Sequence, residues 1–124
     1  MIETIVYKKK GLTVHKCSGS LTEQEFRNAI QSFYKDPSTQ NLLWDFSGAS
    51  MDLISPAFVR QLHSMVRKLG SARRGGKTAI VAPKDLEYAM ARMFQIMSDT
   101  NDFPFKIKVF RYFGEASQWL LEKK

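Results

Sequence analysis

Cysteine is nearly absent from this chain. Cys17 stands alone, so no internal disulfide can form, and a reduced cytoplasmic setting is the expectation. Histidine is almost as scarce. His15 and His63 cannot build a metal cage between them, so neither a metal nor a cofactor is expected. No apolar run approaches the ~20 residues that a membrane span requires. The opening MIETIVYKKKG is acidic first and strand-like after, the reverse of a secretion signal. Nucleotide fingerprints are missing too: GGKT at positions 75–78 lacks the spacing of a phosphate loop, and no G-x-G-x-x-G occurs. Neither a Ser-His-Asp order nor a spaced Cys–His pair is evident, so no catalytic residue is assigned and an enzyme is not expected. What remains is the composition of a globular protein, 44% apolar and 25% charged over 124 residues, read as a single domain spanning 1–124.

A more local absence is that of acid. Between Asp52 and Asp85 no carboxylate occurs, while Arg60, Arg67, Lys68, Arg73, Arg74, Lys77 and Lys84 all fall there. Outside that window basic and acidic residues balance, so the whole net charge of +7 belongs to one quarter of the chain. Such a field attracts an anionic membrane or a phosphate-bearing ligand, or only keeps a face solvated. Arg67, Lys68, Arg73, Arg74 and Lys77 surround a glycine-rich stretch, RKLGSARRGGK, and are the candidate anion or headgroup residues. The patch has no interleaved aromatics, and no helix-turn-helix or zinc finger accompanies it, which argues against nucleic acid.

Periodicity sets out the elements. TIVYKKK and LTVHKCSG, split by Gly11, read as a hairpin. SLTEQEFRNAIQSFYKD carries N-cap residues and a helical apolar stripe of Phe26, Ala29, Ile30 and Phe33. NLLWDF reads as a central strand ending in a loop. Ser55-Pro56 then opens a helix with Phe58, Val59, Leu62, Met65, Val66 and Leu69 on one stripe, with Gly70 at its C-terminal end. KTAIVAP and FKIKVFRY are strands; DLEYAMARMFQIMSDT and GEASQWLLEKK are helices. The expected class is α/β in the order β-β-α-β-α-β-α-β-α: a mostly parallel five-stranded sheet with an antiparallel edge hairpin and four helices.

That order, together with DFSGASMDLISPAF, resembles the STAS domain, the SpoIIAA-like fold of anti-sigma-factor antagonists and sulphate-transporter tails. Its strand ends in a pattern like D-L-S-x-V-x-x-M-D-S-S-G-L, with which Asp45, Ser47, Ala49 and Asp52 are in keeping. The family's phosphorylated serine falls within the serine pair after the second aspartate, which here is Leu53-Ile54, and Ser55 replaces the glycine that follows. The candidate phosphoacceptor loop is therefore Ser47, Ser50, Asp52 and Ser55, with Ser55 also suited to capping the next helix. TAIVAPKDLEYAMARMF and VFRYFGEASQWL are similar to a small bacterial STAS-like subgroup related to lipid carriers, and the fold is similar to the CRAL-TRIO lipid-transfer domain. The resemblance implies a non-enzymatic domain that associates with membranes or holds an apolar ligand under a movable helix.

One helix fits that implication. On a wheel of about 100° per residue, Ile96, Ala89, Met93, Leu86, Met97, Met90 and Phe94 cover roughly 160°, wider than a sheet-covering helix needs. Leu86, Met90, Met93, Phe94 and Met97 are the candidate apolar ligand or membrane residues, methionine being suited to changing apolar surfaces. Deep burial, a homodimer contact or a protein partner would use the same arc. The expected partners are an anionic membrane surface at the inner face or an apolar small molecule. A regulatory protein-interaction domain is the alternative.

Overall fold

The computed structural model describes residues 1–35, 39–99 and 103–122. Strands β1 (Ile2–Tyr7) and β2 (Leu12–Ser20) pair antiparallel, Ile2 facing Cys17 and Tyr7 facing Leu12. The first strand is shorter than its alternation predicts. Lys8–Lys10 instead form a 3-10 turn, closed where Gly11 takes φ 60 and donates its N–H to the Lys8 carbonyl. Only a residue without a Cβ adopts that conformation cheaply.

The rest alternates: α1 (Glu23–Lys35), β3 (Asn41–Ser50), α2 (Pro56–Leu69), β4 (Lys77–Val81), α3 (Asp85–Asp99), β5 (Lys106–Phe110) and α4 (Phe113–Leu121). The sheet order is β1-β2-β3-β4-β5, parallel from β2 onward. Because each strand lies beside its predecessor, right-handed crossovers place α1, α2 and α3 on one face. Phe26 and Ile30 of α1, Phe58, Val59, Leu62 and Val66 of α2, and Ala91 of α3 share one core with Trp44, Phe46, Ile80 and Ile107 of the sheet. Full burial of a side chain such as Phe58 contributes roughly 1.5–3 kcal/mol. The opposite face is thinner: Leu43, Ala79 and Val81 pack under Ala116 and Leu120 of α4.

Local chemistry fixes the helix starts. Thr22 Oγ1 accepts from the Glu25 amide while Glu25 Oε1 accepts from the Thr22 amide, a reciprocal capping box for α1. Ser55 Oγ accepts from the Phe58 amide at 3.1 Å, with Pro56 in the first turn of α2. Gly70 is not the left-handed cap its position suggests. Its φ is −82 and a 3-10 turn, Gly70–Arg73, continues the helix. Glycine is needed because a Cβ there would lie 2.7 Å from the Phe105 ring.

Strand β3 runs four residues past the apolar NLLWDF. A bulge between Lys16 and Ser18 shifts the register of β2, after which Ser18, Gly19 and Ser20 pair with Gly48, Ala49 and Ser50. The segment expected to be a loop is therefore strand as far as Ser50.

Candidate functional site: an apolar cavity with a buried cation behind its wall

Between the sheet and the three helices lies a cavity of about 80 Å³. Its floor includes His15 of β2, Trp44 and Phe46 of β3, and Thr78 and Ile80 of β4; Phe26 and Ile30 come from α1, Val59 and Leu62 from α2, Met90, Ala91 and Phe94 from α3. Any space above about 10–15 Å³ can hold water, yet water needs two to four polar partners, and this wall is almost wholly apolar. An engineered dry cavity of about 150 Å³ takes up benzene. The present one is smaller, but Met90 and Phe94, both only half-buried, form part of its wall.

The few polar groups gather at one end. Thr78 pairs with Leu42 in the second row from the N-terminal ends of the parallel strands, and Tyr34 closes that end from α1. Behind them Arg73 is completely buried. Its Nε donates to the Gln40 carbonyl at 3.1 Å, one Nη to the Tyr34 hydroxyl at 3.1 Å, and the other to the Lys77 carbonyl and Thr78 Oγ1, each at 2.9 Å. The rings of Phe105 and Phe33 lie 4.1 and 5.7 Å from its guanidinium carbon. Among the described residues no carboxylate pairs with it. Burial therefore lowers its pKa, opposed by Tyr34.

His15 lies farther along the floor, level with Trp44. Its ring lies 4.2 Å from that of Trp44; Nδ1 meets Thr4 Oγ1 at 2.9 Å, and Nε2 is buried without a partner among the described residues. Burial first, and then the charge of Arg73, push its pKa down to about 4, so the imidazole is neutral at pH 7. Cys17 is as inert as its strand position suggests, since burial lifts its thiol to about 12.

The basic window does not form one surface patch. Arg67, Lys68 and Arg74 are exposed, as expected of headgroup residues. Arg73 is the correction: it points inward, because the Gln40 and Lys77 carbonyls and two hydroxyls gather around it only in the folded chain. Lys77 is also engaged, its Nζ donating to the carbonyls of Trp119 at 2.8 Å and Glu122 at 2.9 Å at the end of α4.

Helix α3 is rotated relative to its apolar arc. Its most buried residues are Glu87, Ala91 and Ser98, on the order of 120° around from the arc's centre. Met90, Met93, Phe94 and Met97 pack against the core, each only partly buried, whereas Leu86 and Ile96 remain 45% and 54% exposed. Polar pegs explain the rotation. The Glu87 carboxylate, 3% exposed, accepts from the Met51 amide at 2.8 Å, and Gln95 Oε1 accepts from the Val109 amide at 3.2 Å. Amphipathic spacing does not reveal either bond. A glutamate within an apolar stretch was the only available signal.

The loop between β3 and α2 is held by its own polar groups. Asp45 Oδ1 accepts from the Ser47 amide, and Asp52 Oδ1 accepts from the Ser20 and Ser50 hydroxyls at 3.1 and 2.9 Å. Ser47 and Ser55 are exposed and Ser50 is half-buried; Leu53 projects outward while Ile54 enters the core. Through Met51 this loop is tied directly to α3. Among the described residues no cluster of His, Cys, Asp and Glu could hold a metal ion, and no helix is long and apolar enough to cross a membrane.

No family model matches the chain, and no curated protein matches it. A solved structure does: an uncharacterized protein of the DUF3478 family with a SpoIIAA-like fold, from Shewanella loihica PV-4. The two are 18% identical, the match covers 97% of this chain and 92% of that one, and the TM-score is 0.56. The fold is SpoIIAA-like, as the sequence resemblance implied.

Proposed function

We propose that this domain is a non-catalytic STAS-like binding module that takes up a small apolar molecule in the cavity beneath α1, α2 and α3. The observation that carries the reading is the cavity itself: an apolar space in the middle of the main core, walled on one side by the yielding side chains Met90 and Phe94. The Glu87–Met51 hydrogen bond is then the latch that seats α3, and the loop it joins is the segment corresponding to the STAS phosphoacceptor loop. Calorimetric titration with 1-hexanol tests the reading. Saturable binding that Ala91→Phe abolishes supports it; no binding to the wild-type protein removes it.

A second reading has its own observation. Leu86, Ala89 and Ile96 of the α3 arc are exposed, with Met93 half-buried among them. The adjacent α2 carries exposed Arg60, Arg67 and Lys68. An apolar strip beside arginines suits the interface of an anionic membrane, where each basic residue near the surface contributes on the order of 1 kcal/mol. Co-sedimentation with phosphatidylserine vesicles should weaken steeply with salt and fall about tenfold or more in Met93→Asp. A concentration-dependent dimer without vesicle affinity would assign the strip to a protein contact instead.

A further inference from the structure

The cavity is apolar along most of its length and polar at one end, and that end has an uncompensated charge behind it. We propose that it takes a small monocarboxylic acid, the carboxylate meeting Tyr34 and Thr78 in front of the Arg73 guanidinium and the tail running toward Phe46 and Met51. The proposal deepens the reading of the cavity as a binding site and rests on it.

Free hydrogens point the way. The Tyr34 and Thr78 hydroxyl oxygens both accept from Arg73, so each keeps its own proton to donate, and neither proton has an acceptor among the described residues. Arg73 makes four bonds from five N–H groups, leaving one Nη proton without an acceptor there. Donors without acceptors, in a low-dielectric space, call for an oxygen-rich group that accepts and does not donate.

Charge narrows the choice. A buried guanidinium without a carboxylate repels cations and is stabilised by one negative charge. A phosphate carries up to two charges and three terminal oxygens, more than this group of donors can satisfy away from water. A carboxylate accepts at about four lone-pair sites and brings one charge. Length fits a tail of several carbons. Leu42, the partner of Thr78, precedes Phe46 by four strand residues, about 13 Å along β3.

The test compares two probes with the same tail, hexanoate and 1-hexanol, by calorimetry and by amide shifts in NMR at pH 7. Hexanoate should bind about tenfold more tightly or better, as expected when a charge-assisted set of hydrogen bonds replaces a neutral one. Tyr34→Phe, which leaves the Thr78–Arg73 bond in place, should remove most of that preference, weakening hexanoate severalfold more than hexanol. Tyr34→Phe with Thr78→Val should bring the two probes level. Equal or tighter binding of hexanol to the wild-type protein overturns the inference while leaving the cavity reading intact. So does a preference that survives in both variants, or hexanoate shifts confined to Arg67, Lys68 and Arg74. If neither probe binds, the cavity reading falls and this inference with it.

Discussion

Arg73 joins segments that are distant in sequence: the end of α1 through Tyr34, the approach to β3 through the Gln40 carbonyl, and the start of β4 through Lys77 and Thr78. A lysine would offer three donors from one point in place of a planar fork. Arg73→Lys should therefore cost roughly 3 kcal/mol, because buried carbonyl and hydroxyl acceptors lose their partners; urea denaturation reads this directly. His15 makes a separate prediction about acid. Its pKa is about 4 folded against an ordinary 6.5, so a unit or more above 6.5 it is essentially neutral in both states and the slope vanishes. As pH falls from 6.5 toward 4 the unfolded chain binds a proton that the folded chain refuses, and stability declines by up to about 1.4 kcal/mol per unit. His63 is lowered in the same direction by burial and then Arg67, and adds a smaller slope of the same sign. The carboxyl of Glu25, held low chiefly by its hydrogen bond to the Thr22 backbone, acts only at lower pH, below 4.5. His15→Leu should flatten most of the decline between pH 6.5 and 4, measured as urea midpoints across that range. An undiminished slope in the variant would contradict the assignment. Neither residue's role was legible in the sequence. Whether an arginine is solvated or buried depends on acceptors that only the fold collects.

At the scale of elements, the order of strands and helices was legible because each carries its own signal. Ser55-Pro56 marks the start of α2 and forms the expected cap; of the N-cap candidates before α1, Ser20 and Thr22, it is Thr22 that caps, paired with Glu25. The end of β3 was not legible, because its last residues are strand only through pairing with β2 beyond a bulge. The seating of α3 was not legible for a related reason. Apolar spacing locates the arc a helix would bury if hydrophobicity alone decided, whereas Glu87 and Gln95 satisfy backbone amides on two other elements. An unpaired buried amide costs about 1–3 kcal/mol, enough to turn a helix whose apolar arc is wide enough to tolerate rotation. Glu87→Ala should destabilise the protein by that amount and speed amide exchange throughout α3, while Glu87→Gln, which keeps an acceptor, should lose less. Exchange in α3 no faster than in α2 after Glu87→Ala would show that the latch does not hold the helix.

For the whole molecule, the sheet divides two unequal layers. On the α4 side small and medium residues, Leu43, Ala79, Val81 and Ala116, pack together. On the other side large aromatic and aliphatic side chains from three helices meet over the sheet and leave the cavity among them. That asymmetry underlies the functional reading, and methionines report on it. Met51 and Met90 line the cavity, Met93 is half-buried on α3 outside the cavity wall, and Met1 is at the exposed edge of the sheet. With methyl-labelled methionine, titration of 1-hexanol followed by NMR reads both faces at once. The account predicts saturable shifts at Met51 and Met90 with Met1 and Met93 unmoved. Shifts at Met93 with Met51 and Met90 unchanged, or no shift at any methyl group, would contradict it.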